Sequence, residues 1–374
     1  MVASATPFPT LRSVVERCCN SNPWSDPLLV PLLSAPPRAA SQSKGVPRDQ
    51  IGFLRPRVVR AILKDVPRSS VPREALVWSN ERHRELADLP AWVAINPDLL
   101  HHQSRTPAIN ALVQLWRQEK TFPDPLDGWR DELYDVYAST NSADGISSVL
   151  FADLHRSGKW PADRSLDVSA PPTSQPFFAL ERSACALFGV ATFGVHMTAY
   201  VQDEEDGQVQ IWVPRRSKTK STWPGFLDNS VAGGITAGED VEISMIRECT
   251  EEAGWPEELV RPRLQQVIFT SYFYQTETEH EEGGWIQPEV EFTYALELPK
   301  EAVPTPEDGE AESFELMSIH DCLRTMRAGA WKANTAPILI QFLVLNNLLH
   351  VEDESLEGIL QQVQQDLKLP GTGF

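Results

Sequence analysis

Glu248, Glu251 and Glu252 occur within Arg247-Glu248-Cys249-Thr250-Glu251-Glu252-Ala253-Gly254-Trp255, spaced i, i+3 and i+4. On a helix they share one face. Like charges at that spacing repel by on the order of 0.2–0.5 kcal/mol per pair, so stability gives no reason to gather them. What such a face can do is offer hard carboxylate oxygens to Mg²⁺ or Mn²⁺, ions that bridge phosphate oxygens. A bound ion would neutralise pyrophosphate charge, orient it and lower the pKa of an attacking water. Arg247, set among carboxylates, reads as the residue that orients Glu239 or Glu251. A solvated acidic face is the plain alternative, and three aligned glutamates weigh against it.

Two further stretches carry candidate chemistry. Upstream, VPRRSKTKSTWPGFLDNSVAGG (213–234) holds Arg215, Arg216, Lys218 and Lys220 in an otherwise acidic region, followed by Trp223. Cations there suit a diphosphate, and Trp223 could stack on a heteroaromatic ring. The alternative is a basic loop that shields nearby acid. Downstream, Glu289 and Glu291 alternate on one strand face where apolar residues would be expected if that face were core. They read as a base or extra metal ligands, or else as an acidic edge strand facing solvent. Trp212 and Trp255 read as core.

These residues need elements to position them. The pattern predicts a helix over 239–253, with Ile243, Ile246 and Ala253 on its buried side and Gly254 at a left-handed exit. Strands are expected at 194–202 and 207–216, joined by the acidic turn DEEDG, then at 231–235, 265–275, 289–298 and within 306–319. Helices are expected at 320–329 and 335–351, the second apolar enough to be buried. Before residue 177, helical patterns fall at 11–19, 51–66, 107–120 and 129–139. Residues 30–48 read as a linker, and the Pro-rich 160–176 as a domain boundary. The expected organisation is an N-terminal helix and linker (1–48), a mostly helical domain (49–170), an α/β domain with a mixed sheet (177–352), and a C-terminal helix or tail (353–374).

Composition bounds the rest. The chain has 374 residues, 41% hydrophobic and 23% charged, which is ordinary for a globular protein long enough for two or three domains. The first 180 residues are balanced, 20 Lys+Arg against 19 Asp+Glu, whereas the remainder carry 13 against 33. That half repels nucleic acid and anionic membranes, and a phosphorylated substrate would need a metal as intermediary. No apolar run reaches membrane-spanning length, and the N-terminus lacks a secretory pattern. Five cysteines without a CxxC pair argue for a reducing compartment and against a zinc site or a disulfide framework. The expected location is the cytoplasm, and the expected state a monomer or homodimer.

The string GGITAGEDVEISMIRECTEEAGW fits G-x5-E-x7-R-E-U-x-E-E-x-G-U, where U is a bulky aliphatic residue. It resembles the signature of the Nudix hydrolases, with Cys249 and Trp255 departing mildly at two packing positions. The resemblance implies a mixed sheet sandwiched between helices and a Mg²⁺-dependent pyrophosphohydrolase. It further implies metal ligation by Gly233, Glu248, Glu251 and Glu252, and a base outside the motif, for which Glu289 and Glu291 are preferred. More narrowly, ERSACALFGVATFGVHMTAYV through WVPRRSKTKSTWPGFLDNSVAGGI is similar to the thiamine-pyrophosphokinase-related Nudix proteins of fungi and plants. IGFLRPRVVRAIL and DGWRDELYDVY resemble their N-terminal domain. That implies removal of phosphate from damaged thiamine diphosphate (its oxo- and oxy-forms), or else action on 8-oxo-guanine nucleotide diphosphates. Isopentenyl-diphosphate isomerase shares a similar approach to the motif, but its chemistry needs a cysteine where LDNSVAGG offers only Ser230. A non-catalytic binding module would have no use for all three glutamates.

Overall fold

The computed structural model describes residues 7–37, 49–139, 175–349 and 356–372, apart from 206, 221, 279 and 308. A first sheet runs in the order β2-β1-β4-β3 from β1 (Val30–Leu33), β2 (Gln50–Leu54), β3 (Leu76–Trp78) and β4 (Val93–Ile95). The helices Pro56–Asp65 and His102–Gln118 pack on it around Ile62, Ile109, Leu112 and Trp116. A two-stranded sheet follows, β5 (Leu133–Ala138) against β6 (Gln175–Glu181).

This region is therefore a mixture of helices and strands, where a mostly helical one was expected. Residues 30–33 of the expected linker form β1, antiparallel to β2. The expected helix 51–66 is divided: its first residues form β2, and the helix begins at Pro56, whose fixed φ and missing N–H suit a first turn. The expected helix 129–139 is β5, in which Tyr134, Val136 and Ala138 are buried alternately. That is a period of two, and its partner β6 lies about 40 residues further on, beyond the reach of any local pattern.

The larger sheet is six-stranded and mixed. Its order is β10-β11-β7-β8-β12, with β9 paired to β7, from β7 (Thr192–Gln202), β8 (Val209–Arg216), β9 (Val231–Gly234), β10 (Leu264–Gln275), β11 (Ile286–Glu297) and β12 (Ala311–Ser318). β11 and β7 are parallel and the other pairs antiparallel. Alternation along β7 turns Val195, Met197, Ala199 and Val201 toward the helix Val241–Ala253. On the other face, Ile211, Val213 and Met317 meet the helices Ile319–Arg327 and Thr335–Leu345. The sheet is thus sandwiched between helices, as expected.

Several chain segments end up away from their sequence neighbours. Phe178, Leu180, Leu187 and Phe188 pack in the first core, which reaches Val190. The boundary expected at 160–176 lies almost wholly outside the described residues. Leu11, Val14 and Val15 of the short helix Leu11–Glu16 pack beside the C-terminal helices. After the helix Leu356–Gln362, the tail runs along β10, where Ser271 N–H donates to Val363 O (2.9 Å) and Gln365 N–H to Ser271 O (2.8 Å). An edge strand is thereby covered.

Candidate active site

The helix Val241–Ala253 is fixed at both ends. The Asp240 carboxylate accepts the N–H groups of Glu242 and Ile243, an N-cap contributing about 1 kcal/mol. Gly254 takes φ 67°, and its N–H and that of Trp255 close on Thr250 O and Cys249 O, both at 3.2 Å. The buried stripe is Val241, Met245, Ile246, Cys249 and Ala253. Ile243, expected on that side, is 53% exposed, because the stripe steps from 241 to 245 and 246 and passes it by.

Arg247 is the hub of the acidic face. Its Nε and Nη2 donate to both oxygens of Glu239 (2.8 and 3.0 Å), and Nη1 donates to Glu248 (2.8 Å) and Glu251 (2.9 Å). It therefore touches both carboxylates it was read as orienting. Despite partial burial, the hydrogen bonds from Arg247 hold Glu239 below the usual carboxylate range. Glu252 accepts the N–H of Ala232 (2.9 Å) on β9. Burial pushes Glu248 up to about 7. Burial and then the charge of Glu248 push Glu252 well above its ordinary value. Among the described residues no three His, Cys, Asp or Glu side chains are already gathered into a metal cage.

In front of β9 opens a cleft of about 580 Å³ between the two sheets' domains, lined in part by Ala232, Gly233 and Gly234. Register places Glu291, Gly194 and Gly234 in one row across β11, β7 and β9. The glycines make room: a Cβ on Gly194 would stand 2.2 Å from Glu291 Oε2, and one on Gly234 1.5 Å from Tyr134 Oη. Glu289 and Glu291 both line the cleft, on a strand interior to the sheet, so the solvent-edge reading does not hold. Tyr272 Oη donates to Glu289 and lies 3.3 Å from Glu291 Oε1. His196 Nε2 is 3.6 Å from Glu291 Oε2, and its Nδ1 bonds Asn229 Oδ1 at 2.9 Å.

The two acids are driven apart. Burial, then the charge of Glu291, raises Glu289 to about 7. Burial would raise Glu291 too, but His196, Lys332 and the Tyr272 hydroxyl hold it below its ordinary value. A pair split in this way has one member poised to exchange a proton near neutrality.

The four expected cations do not line the cleft. Arg216, itself part-buried, is ion-paired with the buried Asp228 (2.6 Å) and donates to Trp223 O and Thr222 O. Arg215 donates to Gly225 O (2.9 Å), Lys218 pairs with Glu312 (3.6 Å) and Lys220 with Glu310. They hold the loop in shape. Trp223 does line the cleft, with the Arg17 guanidinium 4.8 Å from its ring. The cations at the cleft are Arg130, Arg182 and Lys332. They are spread over some 200 residues of sequence, and no local motif marks them. Trp212 and Trp255 are core, as read. The Ser230 hydroxyl donates to Trp212 O (2.6 Å) and accepts Ala199 N–H (2.8 Å), so it is occupied by the sheet.

Residues 192–337 match the NUDIX domain, and residues 45–147 match a domain of unknown function, DUF4743. The chain is 34% identical over 247 residues to an uncharacterized protein of Saccharomyces cerevisiae, covering 63% of this chain and 71% of that one. It is 31% identical over 274 residues to Nudix hydrolase 20, chloroplastic, of Arabidopsis thaliana, covering 73% and 61%. To Nudix hydrolase 24, chloroplastic, of the same plant it is 31% identical over 261 residues, covering 70% and 59%. The match thus spans about three fifths of each plant relative. No helix among the described residues is long and apolar enough to cross a membrane.

Proposed function

The chain belongs to the Nudix hydrolase family, and on that premise we propose that it splits the phosphoric anhydride bond of a small-molecule diphosphate held in the cleft. The observation that carries this reading is the meeting of two acid sets at β9. Glu248 and Glu252 lean on Gly233 and Ala232 from one side, and Glu289 and Glu291 line the cleft in front.

Glu248, Glu251 and Glu252, with the Gly233 carbonyl, are the groups we assign to a divalent cation, Mg²⁺ or Mn²⁺. Their oxygens are hard donors, and Glu248 and Glu252 are part-buried acids whose strain of like charge a cation would relieve. Bound there, the ion would neutralise diphosphate charge and lower the pKa of a water. Arg247 keeps Glu239, Glu248 and Glu251 in register. Glu289 is assigned as the base. It takes the proton of the water whose oxygen forms the new bond to phosphorus. The bond from phosphorus to the bridging oxygen breaks, and the leaving phosphate keeps the electron pair.

For the group that carries the diphosphate, we place oxidised thiamine diphosphates first, on the resemblance in 182–235, with 8-oxo-guanine nucleoside diphosphates second. Tyr134, Trp223 and Tyr274 at the cleft suit a flat ring of either kind. The occupied Ser230 hydroxyl does not favour isomerase chemistry. Five free cysteines suit a reducing compartment such as the cytosol.

The test is phosphate release with Mg²⁺ from thiamine diphosphate, its oxo- and oxy-forms, 8-oxo-dGDP, ADP-ribose and isopentenyl diphosphate, with the native protein and Glu252→Gln. Turnover of the oxidised thiamine compounds, lost in the variant, supports the full reading. Turnover of another member alone moves the substrate and keeps the chemistry. No turnover of any compound across metals and pH ends the hydrolase reading.

A further inference from the structure

The acidic helix and the sheet behind it do not complete the cleft. One wall comes from outside the NUDIX match, where Arg130 and Tyr134 lie within the domain of unknown function and Arg182 lies between the two matches. The wall is built in a definite register. The buried Glu181 carboxylate accepts the N–H groups of Arg130 (3.0 Å) and Ser183 (3.3 Å) through one oxygen, which ties both arginines to the same rim. Arg182 is steered by Glu132 (2.9 Å) and stands 5.3 Å from the Tyr134 ring centre. β5 grips the loop that leads into the acidic helix: Ala237 N–H donates to Leu133 O and Gly238 N–H to Asp135 Oδ2, both at 2.8 Å. Meanwhile the Tyr134 hydroxyl fills the space over Gly234.

The charge pattern gives this wall a purpose. The cleft floor carries Glu289 and Glu291, and the basic loop ahead of the motif spends its cations on its own carboxylates and carbonyls. An anion entering the cleft meets positive charge from Arg130 and Arg182 on this wall and from Lys332 elsewhere in the lining. The Arg130 side chain is exposed and, beyond a charge that helps hold the Glu310 carboxyl below its ordinary value, makes no hydrogen bond or ion pair with another described residue. Two planar guanidinium groups on one rim match the oxygens of a diphosphate better than a lone ammonium does.

We propose that the described part of the domain of unknown function, together with β6 and Arg182, is the substrate-binding half of the active site, with Arg130 and Arg182 clasping the diphosphate of the substrate. This rests on the reading of the cleft as a diphosphate site. It gives that domain a role in affinity and leaves bond cleavage to the acidic helix and Glu289.

The experiment uses the full chain with Arg130→Ala, Arg130→Glu and the remote surface control Lys64→Ala. KM and kcat are measured on the best diphosphate of the panel, and methylenediphosphonate binding with Mg²⁺ is followed by calorimetry. The proposal expects Arg130→Ala to raise KM and weaken the diphosphonate at least tenfold, with kcat within about threefold, and Arg130→Glu to do more. Melting temperatures should stay close to that of the native protein, since the Arg130 side chain loses no hydrogen bond or ion pair and only its charge's longer-range pull on the Glu310 carboxyl. Native KM and native diphosphonate affinity in both Arg130 variants, beside an active native enzyme, would overturn the proposal and leave the hydrolase standing. Diphosphonate binding that depends on Arg130 without turnover of any compound would keep the proposal and end the hydrolase reading. Absence of both binding and turnover would end both.

Discussion

The carboxyl group of Glu248 lies directly over the backbone of Gly233, so close that a Cβ on residue 233 would stand 2.0 Å from Glu248 Cδ. The first glycine of the motif is required here for space, since its backbone is an ordinary strand of β9. It lets a part-buried glutamate from the helix reach the strand that borders the cleft.

Gly233→Ala should therefore displace Glu248. Overpacking of this kind costs about 1–3 kcal/mol, and a displaced ligand should lower turnover at least tenfold. Thermal melting and phosphate release check both. A variant with native turnover would show that Glu248 has no role at that position.

Glu252→Gln should separate stability from activity. The amide keeps an oxygen for the Ala232 N–H and removes a buried charge beside Glu248. Its melting temperature without divalent cation should be at or above that of the native protein, while kcat falls at least a hundredfold. A variant that is both less stable and fully active would contradict the assignment of Glu252 to the cation.

Glu289 should set a pH dependence with opposite signs for activity and stability. Its proton is held more tightly in the folded chain, up to about 7, than in the unfolded one, where about 4.3 applies. Stability from this group is fully present below the unfolded value and is lost as pH rises to about 7. Activity that needs the ionised base should rise over the upper part of the same window. Glu289→Gln should flatten the loss of stability and lower kcat. Melting curves and kcat from pH 5 to 9 would show it, and an unchanged activity profile in the variant would remove Glu289 as the base.

Tyr272→Phe should push that profile to higher pH. The lost hydroxyl is a donor to Glu289 and lies close to Glu291, and without it the ionised form of Glu289 is less favoured. An alkaline shift in the rising limb of kcat, with Glu289→Gln insensitive to the second change, is the expected outcome.

Arg216 should matter for folding. Removing Arg216 strands the buried Asp228 without its partner, at a cost of up to about 3–5 kcal/mol, so Arg216→Met should unfold at much lower denaturant. Lys218→Ala, whose side chain is 78% exposed, should change stability by no more than about 0.5 kcal/mol. Equal denaturation midpoints for the two variants would refute this assignment of the loop.

The sequence by itself determined the acidic helix, the strands around it and the residues that could ligate a cation. Each of these is a local matter: the spacing of Glu248, Glu251 and Glu252 follows from helical period, and the strands from alternation over a few residues. It did not disclose that 129–139 is a strand, because helical and extended readings of so short a run are arbitrated by a partner about 40 residues away. Nor could it say which cations reach the cleft. Arg215, Arg216, Lys218 and Lys220 sit beside the motif in sequence but meet nearer carboxylates and carbonyls, which satisfy them first. Arg130, Arg182 and Lys332 come from distant segments that only the docking of the two domains brings to one cavity. The same holds for the split between Glu289 and Glu291. Their alternation was legible, but which of them is raised depends on where Tyr272, His196 and Lys332 stand around them, and tertiary structure alone decides that.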